Sequence, residues 1–318
     1  MFGDSFKNGP QKIYFLLVPG FSLFGLTSML APLRHANRTS NETLYEWYLL
    51  SEHGGMISSS DEIEIHCNSS ISAVDKCNML VICSGTQPHT VLTPGILAFI
   101  RKQSQYGADI GCQDTGAYIA AAAGILDGYR VTTHWENYAS TVEHYPKVNF
   151  VQELLVIDRK RFSCPGALSG LDMMLHLISS QHTNELATSV ADELVYTQQR
   201  SHTDPQRRSL QIRLNSRNAN LIEAVQLMER NIEEPLLISD LVDHLEISSR
   251  ELERLFKKHL QQTPKAFYRQ LRLEKARWML QQTHDSITAI STACGFSSLS
   301  HFTRSYQQLF MKKPSQER

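Results

Sequence analysis

Residues 239–314 read SDLVDHLEISSRELERLFKKHLQQTPKAFYRQLRLEKARWMLQQTHDSITAISTACGFSSLSHFTRSYQQLFMKKP, and this stretch contains one pattern written twice. Leu241 and Ile290 begin matching segments 49 residues apart; Leu245 pairs with Cys294 and Ser248 with Ser297. One extra residue then enters the second copy. Beyond it Leu252 pairs with Phe302, Arg254 with Arg304, Phe256 with Tyr306, Leu260 with Phe310 and Pro264 with Pro314. Each copy predicts a short helix, a tight turn closing on Ser, and a longer helix with polar residues on its first turn and an Arg one turn on. Ser248 and Glu251 have capping-box spacing and open a helix over Ser249–His259. Thr263 followed by Pro264 is an N-cap with Pro at the first helical position, and Gly295 sits where a helix should end. Two helices joined by such a turn form a helix-turn-helix, whose second helix presents its N-terminal residues to base edges in the major groove.

The surrounding segment agrees. From Leu221 to Leu309 there is no strand signal; the helical period is cut at Pro235, near Glu246, at Thr263-Pro264, near His284 and at Gly295, giving six or seven short helices. Leu252, Leu255, Phe256, Phe302, Tyr306 and Phe310 fall at core spacing, and Trp278 is assigned to the core as well.

The whole chain is 318 residues, comfortable for two domains, with 42% hydrophobic and 20% charged residues, enough to bury a sizeable core. No apolar run is long enough to span a membrane, and Met1 to Pro10 has no signal-peptide pattern. The expected compartment is the cytoplasm, where the cysteines (Cys67, Cys77, Cys83, Cys112, Cys164, Cys294) are reduced thiols. They contain no C-x-x-C pair, so no structural zinc is expected, and no cofactor is called for. A net charge of −1 hides an asymmetry: residues 1–199 carry 12 basic and 19 acidic side chains, residues 200–215 carry 4 and 1, and residues 216–318 carry 15 and 12. An acidic front joined to a basic back suits a polyanion partner at the C-terminus.

The front half alternates. Lys12–Val18, Tyr45–Ser51, Met79–Cys83 and Asp109–Cys112 read as strands; Leu23–Asn37, Pro94–Gln105, Thr115–Ala123, Leu168–Ser180 and Leu186–Gln199 read as helices. Such alternation implies a parallel sheet covered on both faces. The polar, basic stretch Arg200–Arg217 reads as a linker. The expected division is 10–199, 200–217 and 218–318.

The segments RELERLFKKHL, RLEKARWML and ACGFSSLSHFTRSYQQLF closely resemble the DNA-binding domain of AraC/XylS-type regulators. The resemblance implies contact with two successive major-groove segments, through Ser249, Arg250, Glu251 and Arg254 in the first unit and Ser298, Leu299, Ser300, His301 and Arg304 in the second. Arg250 and Arg304 suit bidentate contact with guanine or a clamp on phosphate. The chain departs from the family at Gln261, Met311 and Glu246, where Gly is usual; left-handed backbone at a non-Gly residue costs about 1 kcal/mol each.

In the front half, DIGCQDTGAYIAAAAGILDG (109–128) is a strand entering a sharp turn and then a helix, a nucleophile-elbow arrangement. With KIYFLLVPGF, NMLVICSG and VTTHWE it resembles the ThiJ/PfpI domain, related to class I glutamine amidotransferases and flavodoxin-like in its sheet. Joined to an AraC-type domain, it is similar to the GlxA-like subgroup. The segments LAPLRHANR and LYEWYLLSEHGG resemble the branch that senses amine-containing metabolites such as betaines, carnitine or arginine. Enzymes of the class place Cys at the elbow with His and often Glu nearby. Here Asp114 holds the elbow, Phe21 and Ser22 follow the first strand in place of Glu, and His134 lacks its nucleophile. Asp114 is a poor acyl-transfer nucleophile but a good acceptor and counter-ion at the start of its helix. Cys112, two residues upstream on the same strand face, is the rival thiol; Cys67, Cys83 and Cys164 read as core.

A non-enzymatic ligand sensor is therefore expected, with its pocket at the C-terminal strand ends: Phe21, Ser22, Ser84, Gly85, Thr86, Asp114, Thr115, His134 and Trp135. Asp114 would pair with a cationic metabolite and Trp135 or Phe21 would supply an aromatic face. The expected partners are double-stranded DNA with promoter half-sites, a small-molecule effector, a second copy of the chain and RNA polymerase, and the resemblance favours activation. Two alternatives stand beside this one. The first is a hydrolase or lyase using Cys112 and His134; the second is an architectural DNA-binding protein without an effector.

Overall fold

The computed structural model describes Phe2 and residues 9–198, 200–283 and 285–317; Gln199 and His284, where the sequence reading ends one helix and breaks the helical period, lie outside them. The chain divides into two compact units, Met1–Gln206 and Arg207–Arg318.

The first unit is built on strands β1 (Gln11–Leu17), β2 (Tyr45–Ser51), β3 (Gly55–Ser58), β4 (Glu64–Cys67), β5 (Ser69–Ser70), β6 (Met79–Cys83), β7 (Asp109–Gln113), β8 (Arg130–Thr132), β9 (Asn149–Val151), β10 (Val156–Asp158) and β11 (Arg161–Cys164). Its helices are α1 (Leu23–Ser40), α2 (Pro94–Gln105), α3 (Gly116–Ala122), α4 (Tyr138–His144), α5 (Ser169–Gln181) and α6 (Asn184–Glu193). Seven strands form the sheet in the order β10-β11-β7-β6-β1-β2-β5, parallel except at the β10–β11 edge. The hairpin β3–β4 and the parallel pair β8–β9 stand apart.

Strand side chains alternate between faces, and both faces are apolar because both are covered. Ile13, Phe15, Leu17, Met79 and Val81 join the core beneath α1, α5 and α6. Leu16, Leu80, Ile82, Ile110 and Cys112 join the core on the other face with α2 and α3. The elements read from sequence are present with shifted ends. α6 stops at Glu193 rather than running to 199: Val195 takes a left-handed φ of 54°, and the next residue, Tyr196, donates its hydroxyl to Asp172 at 2.7 Å.

The second unit is helical: α7 (Leu210–Arg213), α8 (Ala219–Arg230), α9 (Ile238–His244), α10 (Ser249–Leu260), α11 (Pro264–Gln282), α12 (Ile287–Ala293) and α13 (Leu299–Phe310). It has two cores. Leu221, Leu241, Leu252, Phe256 and Tyr268 belong to one; Leu273, Ala276, Ile290, Phe302 and Tyr306 belong to the other. The long helix α11 contributes to both. One turn apart on that helix, Tyr268 donates its hydroxyl to the Asn231 carbonyl, and Arg272 reaches the Cys294 and Gly295 carbonyls at 2.8 and 2.5 Å with its guanidinium 4.2 Å from the Phe296 ring. Arg272 thereby satisfies carbonyls that the end of α12 leaves without intrahelical partners.

Three left-handed turns occupy the positions where Gly is usual in the resembled family: Glu246 at φ 53°, Gln261 at 57° and Met311 at 56°. The second copy keeps Gly295, at φ 71°, where the first has Glu246. A Cβ on Gly295 would lie 2.5 Å from Pro235 Cγ and 2.6 Å from the Ile232 carbonyl, so this position needs Gly for space as well as for φ. Glu246 has only the conformational demand. Glu246→Gly should therefore stabilise the protein slightly, by up to about 0.5 kcal/mol, the left-handed strain removed less the added freedom of the unfolded chain. Gly295→Ala should destabilise by at least about 2 kcal/mol through overpacking and strain together. Chemical denaturation of the two variants against wild type checks both signs.

Candidate nucleic-acid interface and effector site

In the first helix-turn-helix, α9 ends at His244 with Leu245 as its cap, and α10 starts behind Ser248, whose hydroxyl accepts from the Glu251 amide at 3.1 Å. The expected capping box is only half formed. The Glu251 carboxylate does not return to Ser248; it takes the Arg254 guanidinium in a two-point pair at 2.7 and 2.8 Å, a geometry that holds Arg254 along the helix face. In the second unit the cap is Ser298, not Ser297: its hydroxyl accepts from the His301 amide at 3.3 Å. Ser248 therefore corresponds to Ser298, and the extra residue lies in the turn before the helix rather than within the recognition segment. α10 and α13 are both twelve residues long.

Ser249, Arg250 and Arg254 are exposed, as are Leu299, Ser300, His301 and Arg304; Glu251 and Ser298 are partly so. The opposite faces carry Leu252, Leu255, Phe256, Phe302 and Tyr306, all buried. Arg250 and Arg304 make no hydrogen bond or ion pair among the described residues. His301 is steadied by Ser305, 3.4 Å from its Nε2, and by the Phe296 ring at 5.8 Å.

At the end of β7 the chain turns at Asp114, whose φ of 60° is the strained conformation of an elbow. Its amide donates to the Cys164 carbonyl at 3.0 Å and its carbonyl accepts from the Thr133 hydroxyl at 3.2 Å. Burial, with Glu136 nearby as a like charge and the Thr115 amide opposing them, pushes the Asp114 carboxyl up to about 7. His134 Nδ1 lies 3.6 Å from Glu136 Oε2. Desolvation lowers His134, offset in part by Glu136. Trp135 adjoins His134, ring centroids 5.6 Å apart, and both are half-buried.

The other expected pocket residues divide. Phe21 is fully buried and is held by backbone bridges to Ser59 and Gly85, so it offers no aromatic face to a solute. Ser22 caps α1, accepting from the Gly25 amide at 3.1 Å. Ser84 and Thr115 are enclosed; the Thr115 hydroxyl donates to the Gly85 carbonyl at 2.6 Å and lies 2.9 Å from Ser84 Oγ. Thr86 is exposed. Cys112 is 2% exposed, in the core under α2 and α3, and burial pushes its thiol up to about 12. A thiol so protonated is a poor nucleophile. Two apolar side chains that the sequence reading passed over are exposed beside the elbow's neighbours: Phe24 (54%), next to Gly25, and Leu168 (42%), two residues after Gly166. Their signal in sequence was a large apolar residue off the helix's buried stripe.

The raised Asp114 carboxyl links stability to pH. The fold favours the protonated form, so the folded chain retains a proton that the unfolded chain releases near the ordinary carboxylate value of about 4. Wild-type stability is therefore full below pH 4 and falls as pH rises to 7. Asp114→Asn, which also accepts a left-handed φ, should match wild type at pH 4 and exceed it at pH 8. Parallel thermal melts across that range test this; parallel curves with no widening gap would refute it.

Residues 11–180 match the DJ-1/PfpI family and residues 241–318 match a helix-turn-helix domain. The chain is 39% identical over 308 residues to the HTH-type transcriptional regulator CdhR of Pseudomonas aeruginosa, covering 97% of this chain and 91% of that one. It is 33% identical over 315 residues to the HTH-type transcriptional regulator GlxA of Rhizobium meliloti, covering 99% and 97%. The crystal structure of an AraC family transcriptional regulator from Pseudomonas putida superposes with a TM-score of 0.54 at 26% identity, over 58% of this chain and all of that one. The chain thus belongs to the DJ-1/PfpI family, in the form that carries an AraC-type helix-turn-helix domain, and is a DNA-binding transcriptional regulator.

Proposed function

We propose that this regulator is a transcriptional activator controlled by a small cationic metabolite, an amine, betaine, carnitine or amino acid, held at a catalytically silent elbow. The observation that carries this reading is the Asp114 carboxylate in the strained position where the enzymes of this class place a thiol. A desolvated carboxylate attracts a cation strongly and acylates poorly. The half-buried Trp135 can face the cation, and the exposed Phe24 replaces Phe21 in that role. The hydrolase or lyase alternative needs Cys112, which is buried and protonated.

In this reading residues 10–199 sense the effector, 200–217 link, and 218–318 bind DNA. The molecule works in the cytoplasm, as a homodimer on promoter half-sites, where it engages RNA polymerase. Transmission is supported by the start of the linker. Arg200 lies 2.7 Å from the buried Asp172 carboxylate, and the His202 carbonyl accepts from the Leu154 and Leu155 amides at 3.1 and 3.2 Å. Gln206 Nε2 lies 2.9 Å from Thr132 Oγ1, 3.0 Å from the Thr133 carbonyl and 3.1 Å from the Glu153 carbonyl. Thr133 is the residue that bonds Asp114. Effector binding that moves Thr133 loosens Gln206 and releases the strap preceding the DNA-binding unit, biasing a two-state equilibrium.

Thermal shift with a panel of small amines, betaines and amino acids tests the sensor. A cationic member should stabilise wild type and not Asp114→Ala, and its affinity should fall about tenfold per pH unit below 7, as each binding event expels a proton. Gln206→Ala should activate transcription without effector. No cation distinguishing wild type from Asp114→Ala would sink the reading.

For DNA, Arg250→Ala and Arg304→Ala should each weaken specific binding by about 1–3 kcal/mol where the Arg reads a base. Where it holds a phosphate, the loss should be uniform across sequences with a shallower salt slope. Fluorescence anisotropy at several salt concentrations separates the two.

A further inference from the structure

With Ser248 matched to Ser298, the twelve residues of α10 and the twelve of α13 align one to one. On α10, Ser249, Arg250, Glu253, Arg254 and Lys257 share one face at i, i+1, i+4, i+5 and i+8, and all five are exposed. The same positions on α13 are Leu299, Ser300, Thr303, Arg304 and Gln307, which together line one open surface. Leu252, Leu255 and Phe256 on α10, and Phe302, Ser305 and Tyr306 on α13, are buried on the other sides. Each outer face therefore runs two turns past the helix start. It rises about 12 Å along the axis, enough to follow about three or four base pairs in the major groove.

The two faces differ in chemistry. The first is charged. Glu251 is neutralised by Arg254, but Glu253 makes no hydrogen bond or ion pair among the described residues, and neither does Arg250. A free carboxylate facing DNA is repelled by every phosphate, and its favourable partners are the exocyclic amino groups of the bases. Cytosine N4 stands beside a C–H group, whereas adenine N6 stands beside the N7 lone pair, so cytosine suits a carboxylate better. Arg250, one turn away, suits guanine O6 and N7. The second face is nearly neutral. Leu299 is 44% exposed on its first turn, and the apolar group that a base offers in the major groove is the thymine methyl. Ser300 is engaged with Ser298, hydroxyl oxygens 2.7 Å apart. Gln307 is exposed two turns on, and its amide suits adenine N6 and N7.

Resting on the reading of α10 and α13 as the helices that enter DNA, we propose that the two units read segments of opposite base composition. The first takes G·C pairs, through Arg250 and Glu253, and the second takes A·T pairs, through Leu299 and Gln307. Glu253 and Leu299 discriminate by rejection as much as by attraction. Against the wrong base, Glu253 is left as an unpaired charge among phosphates and Leu299 as an apolar side chain among polar base edges. Glu253, Leu299 and Gln307 are thus specificity-determining residues, and the operator is asymmetric within each half-site.

The test is selection of duplexes from a random library by the full-length protein, followed by fluorescence anisotropy on the selected site. Two elements about 10 base pairs apart should emerge, one rich in G and C, the other in T and A. Replacing a thymine of the second element by deoxyuridine, which lacks the methyl, should weaken wild type about fourfold, the worth of one buried methyl group. Leu299→Ala should not respond to that replacement. Replacing an adenine by 7-deazaadenine should weaken wild type about tenfold and leave Gln307→Ala unmoved. Glu253→Ala should bind random duplex more tightly than wild type, since a like charge is gone, while its preference for cytosine at one position of the first element falls about tenfold. Surface truncation that only disturbed the fold would not raise one affinity and lower the other. No enriched sequence overturns base reading by α10 and α13 together with the proposal. Two elements of like composition, or compositions reversed between the units, overturn the proposal alone. So do base replacements that wild type ignores, or variants that respond to them as wild type does.

Discussion

The first unit depends on one backbone constraint, the left-handed turn at Asp114 between β7 and α3. A non-Gly residue at φ 60° persists only where its surroundings over-determine it. Here three strands do so. β7 leads in, the end of β11 accepts the Asp114 amide through Cys164, and Thr133, just past β8, bonds the Asp114 carbonyl. The turn aims a carboxylate into a desolvated corner at the carboxyl ends of parallel strands, where open sheets leave a crevice. In a hydrolase the same strain exposes a nucleophile. With Asp in that position the strain instead holds a charge that the protein solvates poorly, and a group whose charge is poorly solvated is the one a cation can stabilise most.

The same strands carry the strap. Thr132 and Thr133 are bonded outward to Gln206 and, through Thr133, inward to Asp114. A single dipeptide thus stands between the elbow and the last residue of the first unit. The Asp172–Arg200 pair anchors the start of the same segment in a buried position, where removing one partner would leave an uncompensated charge. The strap therefore has a firm end at Arg200 and a neutral, hydrogen-bonded end at Gln206. Release is expected to begin at the neutral end, since amide–carbonyl bonds contribute less than a buried ion pair loses on breaking.

Much of this was legible in the residues. Short strand-like runs gave β2 and β6 to the residue, the helix read over Pro94–Gln105 is α2, and the doubled pattern around Ser248 gave the helix-turn-helix pair. The left-handed turns at Glu246, Gln261 and Met311 were foreseeable because Gly is usual there in the resembled family. What the sequence hid were matters of third-dimensional company. Ser297 and Ser298 are chemically equal candidates for the cap, and only the helix start distinguishes them. Phe21 and Phe24 are both aromatic residues after β1; the bridge to Gly85 buries one, and the helix face exposes the other. Glu251 has capping-box spacing, yet a charged Arg254 one turn away outcompetes a neutral backbone amide for its carboxylate.

The two recognition units then differ for a physical reason. In the first, the turn is three residues long (Glu246, Ile247, Ser248) and its Arg254 is tied to Glu251. In the second, the turn has a fourth residue (Gly295, Phe296, Ser297, Ser298), and the position matching Glu251 is His301, so Arg304 has no acidic neighbour one turn back. The fourth residue allows Phe296 to fold under α13 against Phe302, ring centroids 5.2 Å apart, and under the Arg272 guanidinium. That packing brings Gly295 so close to Pro235 and Ile232 that no side chain fits. The second unit is thereby locked to α11 and to the loop before α9, and its Arg304 is left untethered. The first has the reverse arrangement, a tethered arginine beside a turn that needs Gly only for its φ. Arg254 is thus held in one orientation along its helix face by the two-point pair, while Arg304 keeps its side-chain freedom.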